Sequence, residues 1–450
     1  MSWSCRAGCV GVAEKMAPAK VIFVSIEKHN RQGAQGPIAI RMIFGQVINW
    51  RNGDLVLFYI WLAIALVPMY FCELACGSRV KSFGLAVFVA FVYFVIVAGL
   101  RDDTGYDWFV YKNIYNGVSE SGSLAAAISF GRDNGSELGF SVFLYVLSLL
   151  GLSFWWVQFL AGIFNCYAFL KLNNALGRGT VTGVLIYFCW LFLVLQMGVL
   201  RMSVALSFLS LALLFMLKGK NVKFLLFVML ASLFHTFSIV IGVLMLLARL
   251  SFPRSHTLVF LFLVAIMYVA GIDLAGGVVQ IVSGVMPEFI SSKLNFYLLL
   301  GVSYQRGVGE FLYKLIVVSM YVFLVFRIQE EEEEKLLLNL SYIYIIALLV
   351  FWKYPIFHDR LKYFVLMPFF YLFLTAVMRM RVFNRLVYGV VFLMASFMVL
   401  MHEVSGPLFF PYTPYYNMYE RWLSGEGNDG EERTLKYYKE YDSQWLGGEQ

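Results

Sequence analysis

Ionisable residues are scarce in this chain, and the few that stand inside or at the ends of long apolar runs are the ones able to do chemistry. They are Arg101 with Asp102, Asp103 and Asp107, then Arg201, then His235, then the group Lys353, His358, Asp359, Arg360 and Lys362. A charge at membrane depth costs about 2.5–3.5 kcal/mol on insertion scales, so each is either functional or part of a satisfied structural pair. Arg101, Arg201 and Arg360 suit an anion such as a diphosphate, because the planar guanidinium fork meets phosphate oxygens bidentately. For any one of them, snorkelling or a salt bridge is the competing account. His235 is the histidine in the middle of an apolar run. It reads either as a hydrogen-bonded structural residue or as a group that exchanges a proton or hydrogen bond with a sugar hydroxyl or phosphate. Asp107 is the alternative base, since a carboxylate close to an acceptor hydroxyl takes its proton during displacement.

Other chemistries find little support. Asp102, Asp103 and Asp107 match no established metal loop and have Arg101 beside them, so neither a metal nor another cofactor is expected. Cys5, Cys9, Cys72, Cys76, Cys166 and Cys189 lack metal-ligand spacing and read as small apolar residues. No Walker loop, Gly-x-Ser-x-Gly elbow or His-Glu-x-x-His stretch is present, which argues against ATP as an energy source on this chain.

The elements that must position these residues are membrane helices. Of 450 residues, 60% are hydrophobic and 14% charged, against roughly 25% charged in a soluble domain. A soluble fold of this size cannot hide so much apolar surface, and lipid must cover the rest. Apolar runs lie at about 55–71, 83–100, 138–150, 155–170, 181–199, 203–217, 224–247, 257–271, 310–326, 337–352, 361–378 and 385–401. Their lengths approach the roughly 20 residues that cross a bilayer, and none shows the alternation of a membrane barrel. The fold class is therefore an all-α polytopic integral membrane protein of about twelve hydrophobic helical segments. Residues 1–54 read as a poorly ordered leader, with Met42 a nearer start; residues 55–401 form the helical domain and residues 402–450 an external tail.

Orientation follows from Lys and Arg. Short connectors with Arg79 and Lys81, Lys171 and Arg178, Lys218 to Lys223, Arg249 and Arg254, and Arg379 to Arg385 read as cytoplasmic. Residues 101–137 carry three bases and six acids, and residues 402–450 four bases and nine acids, so both read as external. The net charge of +7 belongs to the connectors and gives no reason to expect nucleic acid. The run of glutamates at 330–334 reads as a solvated face. Parity requires one of the runs 138–150 and 155–170 to be short, tilted or re-entrant, and 224–247 to dip in and return around His235. Arg101, Arg201 and Arg360 then share the outer end, which favours one anion site.

The sequence around these residues resembles a known family. Gly99-Leu-Arg101-Asp-Asp-Thr-Gly105-Tyr-Asp107 followed by Tyr111 resembles the Arg-x-x-x-Gly-x-Asp-x-x-x-Tyr signature of EpsG-like proteins, which include many Wzy-type polymerases of O-antigen and exopolysaccharide. Glu137-Leu-Gly-Phe, Leu200-Arg201-Met-Ser-Val-Ala205, Ala231-Ser-Leu-Phe-His235, the element 293–297 and Arg360-Leu-Lys-Tyr-Phe364 resemble later pieces in the same order. The likeness covers about residues 55–415; Met202 departs from a usual glutamine, and the leader has no counterpart.

The resemblance implies a glycosyltransferase of the bacterial inner membrane that moves a growing glycan from undecaprenyl diphosphate to the terminal sugar of another lipid-linked repeat, on the periplasmic face. Together with the reading of the ionisable residues it leaves Arg101, Arg201, Arg360, Asp103, Tyr111, Glu137, His358 and Tyr363 as substrate-binding candidates and His235 or Asp107 as the catalytic base. Lipid-linked oligosaccharides, the bilayer and a chain-length regulator are the implied partners. Aromatic residues such as Trp108, Tyr115, Tyr412, Tyr415, Tyr416 and Trp422 could stack on sugars, or form an interfacial belt. A lipid-glycan flippase, or a membrane ligase or acyltransferase, would use a similar cationic pocket.

Overall fold

The structure, a computed structural model, describes residues 50–76, 84–176, 180–283, 307–328, 331–405, 411–413, 415–419, 421 and 430–445. The leader up to residue 49, Arg79, Lys81, Arg178, the element 293–297, Glu330 and Trp422 lie outside the described residues. In hydrocarbon a backbone N–H has no water to bond, so apolar runs resolve as helices. All twelve runs fall on helices, and the protein is an all-α polytopic membrane protein. By length and composition five helices suffice to cross a membrane: 59–76, 180–198, 200–217, 357–378 and 382–405. Several shorter apolar helices accompany them.

In chain order the first elements are α1 (Trp50–Cys76), α2 (Gly84–Gly99), strand β1 (Arg101–Asp102), α3 (Trp108–Ser119), α4 (Leu124–Asp133), α5 (Leu138–Leu149) and α6 (Phe154–Leu176). Then come α7 (Thr180–Tyr187), continued by a π-helix (Phe188–Gly198), α8 (Leu200–Leu217), α9 (Asn221–Phe234), α10 (Ser238–Leu247), α11 (Arg254–Val269) and α12 (Leu274–Ser283). The rest are α13 (Val308–Arg327), α14 (Glu332–Val350), α15 (Pro355–Met378), α16 (Val382–Ser405), strand β2 (Tyr416–Asn417) and α17 (Gly430–Trp445).

Contacts sort the helix ends into two groups. At one end, which we call the loop end, Tyr59 of α1 donates to the Tyr412 carbonyl at 3.0 Å, and β2 pairs antiparallel with β1 in the register Arg101↔Asn417 and Asp102↔Tyr416. At the other, the connector end, Arg379 grips Glu334 with two bonds of 3.0 and 2.8 Å, and Arg254 donates to the Ile328 carbonyl at 2.9 Å.

Two of the runs do not pass from end to end. The helix α5 has 12 residues, about 18 Å at 1.5 Å per residue, short of the ~30 Å hydrocarbon core. Its first turn lies beside Arg201, and shortly after its last turn the Leu152 carbonyl accepts the Tyr115 hydroxyl of α3, so both its ends stay at the loop end. The run 224–247 is a hairpin of α9 and α10. Asn339 of α14 donates to the carbonyls of Ala248 and Leu250, both at 2.9 Å, and Asn221 and Ala248 line one cavity with Glu332, which sets both feet at the connector end. The apex is His235, whose backbone is extended.

One buried carboxylate fixes the connector end. Glu73 of α1, 5% exposed, accepts from the backbone N–H groups of Val181 and Thr182, both at 2.9 Å, and from the hydroxyls of Thr180 (3.2 Å) and Thr182 (2.8 Å). The first turn of any helix leaves N–H groups unbonded and carries the positive end of the dipole, so a carboxylate from another helix is a favourable cap. Glu73→Ala is expected to lower stability by about 3 kcal/mol, and Glu73→Gln, which keeps one acceptor oxygen, by about half that. Thermal melting in detergent reads this; a wild-type melt for Glu73→Ala would show that the cap contributes nothing.

Candidate functional site

The loop after α2 explains its own sequence pattern. Gly105 adopts φ +109°, and a Cβ there would lie 2.0 Å from the carbonyl oxygen of Met197, so only glycine allows the loop to seat on the end of the π-helix. The next residue, Tyr106, abuts Gly198, where a Cβ would meet its ring at 2.4 Å. Long π stretches are rare and concentrate near functional sites; here the stretch ends where the loop docks. Asp107 then stands at the start of α3, and Tyr111 follows one helical turn later on the same face, donating its hydroxyl to Asp107 Oδ2 at 3.1 Å.

From Tyr111 a polar path runs on to the hairpin apex. The Arg201 guanidinium lies 5.6 Å from the Tyr111 ring centroid and pairs with Glu137 at 2.7 Å, also donating to the Gly135 carbonyl. The second oxygen of Glu137 accepts the Thr236 N–H at 3.4 Å, next to His235. Glu137 thus satisfies a backbone group released where the α9–α10 hairpin breaks. Arg360, on the first turns of α15, lies 5.8 Å from the ring of Phe237 at the same apex, and the charges of both Arg360 and Arg201 reach His235. Among the described residues His235 Nδ1 and Arg201 Nε are buried without a hydrogen-bond partner. Arg201 and Glu137 keep about a fifth of their side-chain surface open, at 21% and 20%. Asp107, Tyr111, Glu137, Arg201, His235 and Arg360, scattered over the sequence, therefore form one neighbourhood.

Arg101 is placed differently from its two companions. It is 1% exposed, donates to the Ala98 carbonyl, and has an ion pair with no described residue; Tyr415, Tyr412, Tyr59 and Tyr111 are its electrostatic neighbours. Burial lowers its guanidinium to about 10, which still leaves it charged at neutral pH. It underlies the loop, and only Arg201 and Arg360 of the three expected arginines stand at the hairpin apex. His358 joins a separate cluster, with Nδ1 3.3 Å from Asp359, which also holds Lys362 at 2.9 Å. Tyr363 lines a cavity with Asn165, Tyr187, Ser203, Ser207 and Ser210, inward of Arg360 and Arg201. There the Asn165 amide bridges the hydroxyls of Ser203 (2.9 Å) and Ser207 (2.8 Å).

Asp102 and Asp103 face the C-terminal segment. Arg421 lies 2.7 Å from Asp102 and 3.8 Å from Asp103, and Arg433 donates to the Asp103 carbonyl. Burial and the neighbouring Asp102 raise the Asp103 carboxyl above its ordinary range, while the Asp102 hydrogen bond raises Arg421. These two arginines are absent from the residues singled out by sequence. The available signal was the acid excess of residues 101–137, which calls for cations from elsewhere. Among the described residues no three of His, Cys, Asp and Glu stand close enough together to hold a metal ion.

No curated protein and no solved structure matches the chain. A family model does: that of the EpsG family matches residues 84–416, from the first residue of α2 into β2. The match takes in the Asp107 loop, both apex arginines and the hairpin, and by it this membrane protein belongs to the EpsG family, with the glycosyltransferase-type activity in polysaccharide biosynthesis that membership carries.

Proposed function

We propose that the protein is a polysaccharide polymerase of the bacterial inner membrane, transferring a growing glycan from undecaprenyl diphosphate to the terminal sugar of a second lipid-linked repeat on the periplasmic face. The observation that carries this reading is the meeting of Arg201, Arg360 and His235 at the hairpin apex, linked through Tyr111 to the carboxylate of Asp107. Such a transfer needs a cationic seat for a departing diphosphate and a proton acceptor for the attacking hydroxyl. In the proposed step the acceptor oxygen bonds to the anomeric carbon of the donor as the bond from that carbon to the diphosphate oxygen breaks. The electron pair leaves on the diphosphate, where Arg201 and Arg360 meet it. The hydroxyl proton passes to Asp107, whose orientation the Tyr111 hydroxyl fixes, and His235 hydrogen-bonds the phosphate or the acceptor. Arg101 supports the loop from beneath, and the connector end, rich in Lys and Arg, faces the cytoplasm. Apolar helix faces such as that of α11, which exposes Val259, Phe262 and Ile266, offer room for polyprenyl chains.

Two outcomes follow. Arg201→Lys and Arg360→Lys retain charge but lose the planar fork, and each is expected to cut polymerisation about 10²- to 10³-fold at normal protein level. Asp107→Asn should fall at least as far, while His235→Ala keeps partial activity. Glycan ladders with immunoblots read this, and long polymer from both lysine variants would defeat the diphosphate seat; in a deletion strain, repeats trapped on the cytoplasmic face would indicate a flippase instead. The second outcome is metal independence: purified protein supplied with a lipid-linked repeat is expected to polymerise in EDTA, since guanidiniums do the charge work. Loss of product that magnesium restores would count against it.

A further inference from the structure

We infer that Arg421 and Arg433, in the C-terminal segment, are positioning residues for the Asp107 loop, so that this segment forms part of the working site. The inference rests on the polymerase reading for its catalytic readout, but its structural content stands independently.

Three features of the loop call for partners outside it. Asp103 is a non-glycine residue at φ 47°, a conformation that costs roughly 1–2 kcal/mol outside glycine. Asp102 is fully buried. Residues 101–107 bring three carboxylates against one arginine, and an acidic loop of this kind repels the anionic substrate it must flank. The C-terminal segment answers each point. Arg421 pairs with Asp102 at 2.7 Å and reaches Asp103; Arg433 donates to the carbonyl of the strained residue and lies 4.8 Å over the Tyr416 ring.

The backbone of the segment locks the same turn. Tyr416 N–H donates to Thr104 Oγ1 at 3.0 Å, Met418 N–H to the Leu100 carbonyl at 2.8 Å, and Gly105 N–H to the Pro411 carbonyl at 2.7 Å. Tyr437 of α17 stacks on Tyr106 at 5.4 Å, the residue before Asp107. The loop is thus clamped on both sides of Gly105, between the π-helix and the C-terminal segment. Of the three cations among the described residues that act on Asp103, namely Lys112, Arg421 and Arg433, releasing the two arginines leaves only the lysine, so the turn is free to leave its left-handed conformation and Asp107 moves with it.

The test uses the full-length protein in detergent or nanodiscs, with Arg421→Gln, Arg433→Gln and Arg421→Lys. Hydrogen exchange at residues 102–107 is read by mass spectrometry beside thermal melting. Steady-state polymerisation uses a defined lipid-linked repeat. Expected are faster exchange confined to this loop in the two glutamine variants and a kcat lowered about ten- to a hundred-fold, the scale of a misplacement near 1 Å. KM should stay within about twofold and melting close to wild type, with Arg421→Lys recovering most of both readouts because it restores the charge opposite Asp102. Wild-type exchange in both glutamine variants overturns the inference. So does a kcat that falls only in proportion to lost folded protein. A wild-type enzyme that forms no polymer would sink the proposed function, and the exchange data would still decide the clamp.

Discussion

The ion pair of Arg201 with Glu137 ties the hairpin apex to the rest of the loop end. Either charge alone at that depth would be driven out towards water; paired at 2.7 Å they can stay. The carboxylate serves two partners, a guanidinium on α8 through one oxygen and a backbone N–H at the hairpin break through the other. Three segments distant in sequence, the start of α5, the start of α8 and the apex between α9 and α10, are thereby fixed relative to one another. The arrangement also explains why a helix can break inside an apolar run. A freed N–H in hydrocarbon costs several kcal/mol unless something accepts it, and here a carboxylate from another helix does.

The same logic recurs at the opposite end, where Glu73 satisfies the first turn of α7. Several helix contacts are joined by a polar group of one helix that completes the hydrogen bonding of another. Apolar packing fills the intervening space, as around Phe94, Phe188 and Phe192, whose rings lie within 4.8–5.6 Å of one another. Such packing is tolerant of detail, whereas the polar joints fix register.

How much of this could be read from sequence depends on the kind of signal. Helices at every apolar run, a short segment between the acidic loop and Lys171, and a break at His235 follow from hydropathy, charge and parity. The spacing of Asp107 and Tyr111 on one helix face is legible because four residues make about one turn. The burial of Arg101 is not legible, since residue type gives no depth, and His358 looks equivalent to Arg360 two positions on although their neighbours differ. The π-helix shares its composition with the α-helices beside it. The clamp of Arg421 and Arg433 was hidden by the acidic character of residues 402–450, which read as an external tail and mask the two cations that are engaged.

The pairing of β1 with β2 has a consequence for biogenesis. Its two strands are separated by nearly the whole helical domain, and at 5–20 residues per second a ribosome needs on the order of tens of seconds to reach the second after making the first. Throughout that interval the nascent chain carries an acidic turn without Arg421 and Arg433, even while early helices enter the bilayer. A chain made only as far as α16 therefore has neither the second strand nor the two arginines that meet the turn.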